Sequence, residues 1–226
     1  MVITIDTIFT AAELQTVRQK LQKAQWAQGI SAGTQAKLAK NNQQLPEDSP
    51  LLPELRTLVM RALNRSTLLI SAALPYKILP PNFNRYSGDS NYYGAHTDST
   101  LRPLPDGSYL RTDISATLFI TDPDDYQGGE LSIEDTYGKH LIKLPAGSMV
   151  IYPSGSIHQV TPVTSGERLA CYMFMQSLVK DTESRRHLYE MDMALIALRK
   201  RYGEDDIELI RLTGLYNNLV RRWSEC

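Results

Sequence analysis

Four polar residues in three separated stretches constrain how this chain of 226 residues can fold. His96 and Asp98 stand two positions apart in YYGAHTDST. His158 follows the apolar segment GSMVIYPSGS. Arg168 opens the next apolar segment, RLACYMFMQSLV, after the predicted hairpin turn TSGE. Because side chains two apart on a strand share a face, His96 and Asp98 project together if their segment is extended. A barrel or jelly roll would bring the distant strand of His158 beside them at one opening.

These residue types predict a metal centre. Two histidines and one carboxylate form the facial triad that suits non-haem Fe(II) and leaves three coordination positions open. A 2-oxo acid can fill two of them through its carboxylate and keto oxygen, and O2 can fill the third. Arg168 offers a permanently charged fork for a second carboxylate. The pattern therefore indicates an oxygenase with a dicarboxylate co-substrate.

Each residue alone has an ordinary explanation. An H-x-D pair is common, an isolated histidine is more often packed or solvent-facing, and Arg168 beside Glu167 could form a surface ion pair. The combination of residues in this order on predicted strands favours the metal site. His140, after the turn DTYG, and His187, on a charged helix face, are interpreted as non-ligands.

Three long motifs extend the pattern: NRYSGDSNYYGAHTD, ATLFITDPDDYQGGELSI and LPAGSMVIYPSGSIHQVTPVTSGERLACYMF. With these motifs, the segment from about residue 79 to residue 178 resembles the Fe(II)/2-oxoglutarate dioxygenase domain of the prolyl 4-hydroxylase type. The whole chain resembles the bacterial PKHD-type hydroxylases, whose helical extensions flank this domain in a similar way.

The resemblance implies a mainly β fold with flanking helices, built on a double-stranded β-helix of the jelly-roll or cupin-like kind. It also implies Fe(II), 2-oxoglutarate and, as a candidate reductant, L-ascorbate. By the resemblance, His96, Asp98 and His158 match the metal ligands and Arg168 the anchor of the 2-oxoglutarate carboxylate. Tyr86 has two interpretations, a second hydrogen bond to the co-substrate or structural packing.

The chain divides into three predicted regions. Residues 1–77 are expected to be a mainly helical region that packs on the core, residues 78–178 the dioxygenase domain, and residues 179–226 a helical extension. Thr10 and Glu13 form a capping-box signature before the first helix.

Apolar side chains at helical spacing support the predicted helices. A polar stretch, residues 32–50, is interpreted as a loop, Pro50 as the start of the second helix and Gly203 as the end of the third. The apolar stripes comprise Leu14, Val17 and Leu21; Leu55, Leu58, Val59 and Ala62; Leu188, Met191, Leu195 and Leu198; and Ile207, Ile210, Leu215 and Leu219. The last two stripes could cover the core or form a homodimer contact, and core packing is favoured.

Composition limits the partners. A hydrophobic content of 42% is ordinary for a globular protein, and a net charge of −1 argues against a nucleic-acid partner. Cys171 and Cys226 form no metal motif or disulfide framework, and Cys171 is expected to be a packed thiol. The first residues lack a basic start and a cleavable apolar run, and no stretch approaches a membrane span. We therefore expect a cytoplasmic protein without a membrane partner.

Four function classes compete. The first is a 2-oxoglutarate-dependent hydroxylase that acts with O2 on a peptide, an amino-acid-like compound or another small molecule and releases succinate and CO2. The second is a nucleic-acid demethylase, but such enzymes usually carry a second arginine where Phe174 stands here. The third is a zinc-dependent cupin-type hydrolase or isomerase, which gives Arg168 no role. The fourth is a non-catalytic metal-binding module.

The sequence says less about the substrate pocket than about the metal site. SGDSNYYG and LRPLPDGSYLRTD could border the site, because loops around a rigid site often select the substrate. Tyr92, Arg102 and Arg111 are candidate substrate contacts, although a solvent-exposed side chain is the alternative at each position. The acidic DPDDY is interpreted as ordinary turn chemistry and not as a second metal site.

Overall fold

The computed structural model describes residues 1–29, 39–104, 106–136 and 138–225, so the prediction for Cys226 lies outside the described residues. The helices within these ranges are α1 (Ala11–Leu21), α2 (Leu52–Arg65), α3 (Thr67–Ala73), α4 (Thr182–Tyr202) and α5 (Ile207–Trp223). The strands are β1 (Ile3–Ile5), β2 (Ala27–Gln28), β3 (Lys40–Asn41), β4 (Gln43–Gln44), β5 (Pro75–Ile78), β6 (Asn82–Tyr86), β7 (Tyr92–His96), β8 (Leu101–Pro103), β9 (Tyr109–Arg111), β10 (Ile114–Phe119), β11 (Tyr126–Gly128), β12 (Leu131–Asp135), β13 (Gly138–Ile142), β14 (Met149–Pro153), β15 (His158–Val160), β16 (Val163–Gly166) and β17 (Arg168–Ser177).

Two antiparallel sheets form the body of the protein. The larger sheet has the order β1-β14-β10-β17-β6-β4-β2, with β5 also paired to β17, and the smaller has the order β13-β12-β15-β7-β3. The chain crosses between them, since β14 lies in the larger sheet, β15 in the smaller and β17 in the larger again. This alternation is the jelly-roll arrangement, and the predicted mainly β fold with flanking helices is confirmed.

The predicted hairpin between the strands of His158 and Arg168 is wrong. The segment interpreted as the turn TSGE lies largely in β16, which pairs with β11 and not with β17. Gly166 has a φ of 76°, and a Cβ there would come within 2.2 Å of the Asp125 carbonyl oxygen. The chain can therefore approach β11 closely at this position because it has no side chain.

The two faces of the larger sheet bury different side chains. On β10, Ile114, Ala116 and Leu118 join the core formed with α1, α2 and α3, whereas Phe119 joins the core between the sheets. This alternation follows from the period of two along a strand. Cys171 lies in the helix-facing core, and burial raises the pKa of its thiol, which confirms the packed-thiol prediction.

The N-terminal helices match the sequence in part. The helix α1 has the predicted capping box, in which the Thr10 hydroxyl accepts from the Glu13 N–H and the Glu13 carboxylate accepts from the Thr10 N–H. The second helix begins at Leu52 and not at Pro50, and α3 was not predicted.

The loop prediction for residues 32–50 is wrong at β3 and β4, whereas residues 45–50 lie outside helices and strands as predicted. Strands of two residues are too short to produce an alternating pattern in the sequence. They extend the two sheets, β4 beside β6 and β3 beside β7. The chain divisions at residues 77 and 178 stay predictions.

The C-terminal helices pack at the end of the larger sheet. Gly203 follows α4 as predicted, and Leu188 packs with Leu74 and Val179. On α5, Leu219 packs against this cluster, whereas three other members of the predicted stripe are about half exposed: Ile207, Ile210 and Leu215. No helix in the described part of the chain has the length and apolar character needed to cross a membrane.

Candidate metal centre

The predicted triad comes together where the smaller sheet meets the cavity between the sheets. His96 is the last residue of β7, His158 is the first residue of β15, and the two are register partners. Asp98 lies two residues beyond the end of β7, and its carboxylate still projects to the same side as His96, as predicted. Its N–H donates to the Ser154 carbonyl oxygen at 3.3 Å, which holds this segment against the end of β14.

The three side chains present their polar atoms to one point. The Nε2 of His96 lies 3.9 Å from Asp98 Oδ1, and the Nε2 of His158 lies 3.5 Å from Asp98 Oδ2. One candidate ligand atom from each residue lies within 4.8 Å of the others. Both histidines are buried. This grouping suits a single ion bound by three protein atoms.

Backbone carbonyls fix the orientation of both imidazole rings. The Nδ1 of His96 donates to the Gly94 carbonyl oxygen at 2.8 Å, and the Nδ1 of His158 donates to the Ser156 carbonyl oxygen at 3.0 Å. Because a carbonyl only accepts, the proton of each neutral ring lies on Nδ1 and the lone pair on Nε2. Metal-binding histidines typically have such partners, which set the tautomer and the ring orientation.

A chain of hydroxyl groups orients the carboxylate. The Ser115 hydroxyl donates to Asp98 Oδ2 at 2.6 Å, and it accepts from the Ser154 hydroxyl at 2.7 Å. Ser115 lies on β10 of the larger sheet and Asp98 follows β7 of the smaller, so this contact joins the two sheets at the site.

Aromatic rings cover the histidines. The Tyr93 ring stacks on the His96 ring, with centroids 3.7 Å apart and planes 16° apart, and the Tyr152 ring meets His158 edge-on at 5.0 Å. Burial, and next the neighbouring His158, lower the pKa of His96 to about 4. His96 is therefore neutral at pH 7, as a metal ligand must be.

Arg168 is a buried cation that lies between two aromatic rings. It begins β17, is 1% exposed, and its guanidinium carbon lies 5.1 Å from the ring centroids of both Tyr86 and Phe119. None of its three nitrogens has a hydrogen-bond acceptor among the described residues. A buried charge without compensation is costly, so this position favours an anionic ligand.

Two phenols lie near this cation. Tyr86 is 1% exposed, and burial raises its pKa to about 12. Its hydroxyl accepts from the Asn84 side-chain amide at 3.3 Å, which leaves its proton available to a ligand. Burial also raises the pKa of Tyr126, and the neighbouring Arg168 partly offsets that rise. Both groups are protonated near neutral pH and can donate.

Other predicted residues lie elsewhere. His140 is on the exposed hairpin of β12 and β13, where its Nε2 lies 2.7 Å from Asp135, and His187 is exposed on α4. Arg111 pairs with Asp113 at 2.7 Å outside the cavity. Tyr92 is 37% exposed and also lies outside, whereas Arg102 lines the cavity.

Several residues that line the cavity or support the triad were missed by sequence reasoning. Lys40 and Asn42 lie in the stretch interpreted as a loop, where no pattern identified them. Ser115 and Thr117 had a signal, since they alternate with Ile114, Ala116 and Leu118 along β10, and all these residues are buried. Two polar positions on one face of a buried strand indicate a polar interior.

Two family models match the chain. The model described as the 2OG-Fe(II) oxygenase superfamily matches residues 81–176, and the model of the PKHD-type hydroxylase C-terminal domain matches residues 182–225. A PKHD-type hydroxylase of Nitrosomonas europaea is 57% identical over 227 residues, and one of Azoarcus sp. is 54% identical over 226 residues. In both cases the alignment covers 100% of each chain.

Solved structures share the fold at low identity. The α-ketoglutarate-dependent carbocyclase SnoK from nogalamycin biosynthesis has a TM-score of 0.56 and 18% identity, with 79% of this chain and 80% of that chain covered. A prolyl hydroxylase from Trichoplax adhaerens in complex with a hypoxia-inducible-factor peptide has a TM-score of 0.55 and 15% identity, with 83% and 86% covered. These likenesses confirm the double-stranded β-helix.

Proposed function

Because this chain belongs to the PKHD-type hydroxylases of the 2OG-Fe(II) oxygenase superfamily, we propose that His96, Asp98 and His158 are its iron ligands. The protein is a 2-oxoglutarate-dependent dioxygenase that hydroxylates an organic substrate with O2 and releases succinate and CO2. The observation that carries the ligand proposal is the donor set. Two Nε2 lone pairs and one carboxylate meet within 4.8 Å, which is the ligand type of non-haem Fe(II) oxygenases.

Arg168 is the proposed anchor of 2-oxoglutarate. Its guanidinium is buried without an acceptor among the described residues, and a planar fork suits a carboxylate in two-point contact. The Tyr86 hydroxyl, beside this cation, is proposed to donate a second hydrogen bond to the co-substrate. Both side chains thus fit the dicarboxylate at the end that does not react.

With iron on His96, Asp98 and His158 and 2-oxoglutarate on Arg168, the pair would supply the chemistry that puts one oxygen atom of O2 into a substrate C–H bond and the other into succinate, with loss of CO2. The chain's own residues hold and shield this chemistry. The Gly94 and Ser156 carbonyls keep both Nε2 atoms directed at the metal position, and Ser115 orients Asp98. Tyr152 lines the cavity beside His158, and Phe119 packs against Arg168 from the apolar cluster between the sheets, so both rings would limit the access of water.

The alternative functions account for fewer features of the site than a 2-oxoglutarate-dependent dioxygenase does. A zinc-dependent hydrolase or isomerase would use the same three ligands but gives no role to the unpaired Arg168. A non-catalytic module has no use for an anchored co-substrate, and family membership favours neither. For a nucleic-acid demethylase, Phe174 stands where a second arginine is usual, and its ring contacts Arg102 instead.

The test of the proposed ligands is the formation of succinate from 2-oxoglutarate. We expect wild-type protein to form succinate in the presence of Fe(II) and O2, at a low rate when no substrate is added. His158→Ala should form none. His140→Ala is the matched control, because His140 lies on an exposed hairpin away from the cavity. Equal succinate formation by wild type and His158→Ala would refute the ligand assignment.

Three finer proposals rest on the sequence. Ascorbate is proposed as a reductant that sustains turnover, tested by succinate formation with and without it. A homodimer through the C-terminal helices is supported by the exposed Ile207, Ile210 and Leu215, and light scattering measures it. The cytoplasmic location stays a prediction that cell fractionation tests.

A further inference from the structure

Two further cations line the cavity that contains the triad. Lys40 lies on β3, and its ammonium nitrogen lies 5.3 Å from the Tyr93 ring centroid and 5.9 Å from that of Tyr172. Arg102 lies on β8, and its guanidinium carbon lies 4.6 Å from the Phe174 ring centroid. The Nε of Arg102 is buried without a hydrogen-bond acceptor among the described residues.

These cations lie apart from Arg168. Arg168 contacts the rings of Tyr86 and Phe119, and neither ring lies under Lys40 or Arg102. A single dicarboxylate that is anchored at Arg168 and chelates the metal would leave Lys40 and Arg102 for another anion. The cavity therefore offers two separate positions for anions.

The charges around the cavity agree with a second anion. Among the described residues that line the cavity, three carry a positive charge at neutral pH and one is a carboxylate. The three cations are Lys40, Arg102 and Arg168, and the carboxylate is Asp98. Fe(II) adds two positive charges and 2-oxoglutarate removes two, so a surplus of two positive charges remains after both have bound. Burial, and next the charge of Arg102, lower the pKa of Lys40 to about 8, which shows that these cations disfavour each other. An anion between them would relieve that repulsion.

Two amide side chains line the same cavity: Asn42 lies beside Lys40, and Asn84 lies beside Tyr86. Asn42 is fully buried and lines the cavity, and neither its side-chain oxygen nor its nitrogen has a hydrogen-bond partner among the described residues. The side-chain oxygen of Asn84 is likewise unpaired there. Buried polar atoms usually have partners, so these positions suit a ligand that both donates and accepts hydrogen bonds. A peptide group has both functions.

We propose that Lys40 and Arg102 bind a carboxylate of the substrate and that the substrate carries an amide group beside it, as in an N-acylated amino acid or the C-terminal residue of a peptide. This subsite rests on the proposed function, since it assumes that Arg168 holds 2-oxoglutarate. It narrows the substrate class to anions and places the substrate's charged end on β3 and β8. The triad then faces the part of the substrate away from that end.

The test is calorimetric titration of anaerobic protein loaded with Fe(II) and 2-oxoglutarate. Three probes share one backbone: acetyl-alanyl-alanine, its C-terminal amide, and acetyl-alanyl-phosphoserine amide. We expect the carboxylate probe to bind at least about tenfold more tightly than its amide, as one lost charge-assisted hydrogen bond implies. Tighter binding of the phosphate probe, equal binding of the amide, or no binding of any probe would overturn the proposal.

Variants locate the subsite. Arg102→Gln and Lys40→Gln should each lower the affinity for the carboxylate probe about tenfold or more and leave the affinity for the amide probe unchanged. Arg102→Lys should retain most of the affinity for the carboxylate probe. Arg111→Gln is the matched control, because Arg111 lies on the same hairpin but outside the cavity. If Arg102→Gln weakens both probes equally, its role is structural and the subsite is refuted.

The affinity for 2-oxoglutarate separates this proposal from the previous one. We expect Arg102→Gln and Lys40→Gln to bind 2-oxoglutarate as wild type does. If they lose it, these residues hold the co-substrate and the subsite is wrong. If wild type itself fails to bind 2-oxoglutarate, the proposed iron and co-substrate site fails first.

Discussion

Two buried arginines show how differently this molecule uses the same side chain. Arg185, 3% exposed on α4, donates to the Val179 carbonyl oxygen at 2.6 Å and to the Thr182 hydroxyl at 3.3 Å. Arg168, 1% exposed in the cavity between the sheets, has no acceptor among the described residues. The protein supplies acceptors for the first cation itself, whereas no described residue accepts from the second, as expected if Arg168 binds an anionic ligand. Burial alone therefore does not distinguish a structural charge from a binding charge.

The contrast extends to the regions around them. In the helical layer, charged groups are paired within the protein, as in Arg65 with Glu13 and Lys20 with Glu54. In the cavity, polar atoms of Asn42, Asn84, Arg102 and Arg168 have no partner among the described residues. Because unpaired buried groups cost free energy, these side chains should lower the stability of the ligand-free protein, and a bound ligand should restore it.

The largest expected effect comes from Arg168→Leu. It should lower the affinity for 2-oxoglutarate at least about 100-fold, since loss of one partner of a buried charge pair costs about 2–5 kcal/mol. The free energy of unfolding of the ligand-free protein should stay equal or rise, because an uncompensated charge is removed. Calorimetry and urea unfolding measure the two quantities.

Arg85→Leu is the control for that substitution, because Arg85 pairs with Glu167 rather than facing the cavity. It should leave the 2-oxoglutarate affinity unchanged. Unchanged co-substrate affinity in Arg168→Leu would remove the distinction between the two buried arginines.

Arg185→Leu should have the opposite profile. It leaves the Val179 carbonyl oxygen without its donor and should lower the free energy of unfolding by about 3 kcal/mol. The 2-oxoglutarate affinity of the folded protein should not change. Arg186→Leu, which alters an exposed arginine paired with Glu183, should leave the stability nearly unchanged. A stable Arg185→Leu protein with impaired co-substrate binding would invert the comparison.

Ser115→Ala probes the support of the metal site. It removes the hydrogen bond to Asp98 and should lower the affinity for Fe(II) about 10- to 100-fold, the usual effect of losing a hydrogen-bond partner of a metal ligand. Ser132→Ala is the control, because Ser132 is buried on β12 and its neighbour Leu131, which lines the cavity, points to the other face. Equal Fe(II) affinity of the two variants would mean that Ser115 does not position Asp98.

The smallest expected effect lies in the helical layer. Hydrogen bonds from Arg65, and next those from Thr10, lower the pKa of Glu13 from 4.5 to about 2. The ionised form is thus favoured in the folded protein, and its contribution is present above pH 4.5 and lost as the pH falls towards 2. Glu13→Gln should cost about 1 kcal/mol at pH 7, a usual value for a capping interaction, and progressively less below pH 4.5.

Urea unfolding at several pH values measures this difference between Glu13→Gln and wild type. Glu54→Gln, which breaks an exposed ion pair with Lys20, should cost less at pH 7. A Glu13→Gln deficit that stays constant down to pH 2 would argue against the carboxylate as its cause.

Sequence reasoning located residues whose neighbours carry a pattern. His96, His158 and Arg168 stand at the ends of strands, and Asp98 follows β7 by two residues, so their convergence could be predicted. Family motifs added the double-stranded β-helix, which spacing alone left open among barrel-like folds.

The rest of the site depends on contacts that a local pattern does not encode. Lys40 reaches the cavity only because the two-residue strand β3 pairs with β7, and such a short strand has no period to detect. Ser115 supports Asp98 from the opposite sheet, across 17 positions of sequence. Residues that act through long-range packing therefore became visible only in the structure.

The visible absorption of anaerobic protein titrated with Fe(II) and 2-oxoglutarate tests the central claim most directly. A weak charge-transfer band arises only when the co-substrate chelates a ferrous ion held by the protein. The account predicts the band in wild type and in His140→Ala, and its loss in His158→Ala. A band of unchanged intensity in His158→Ala would contradict the assignment of His96, Asp98 and His158 as the ligands.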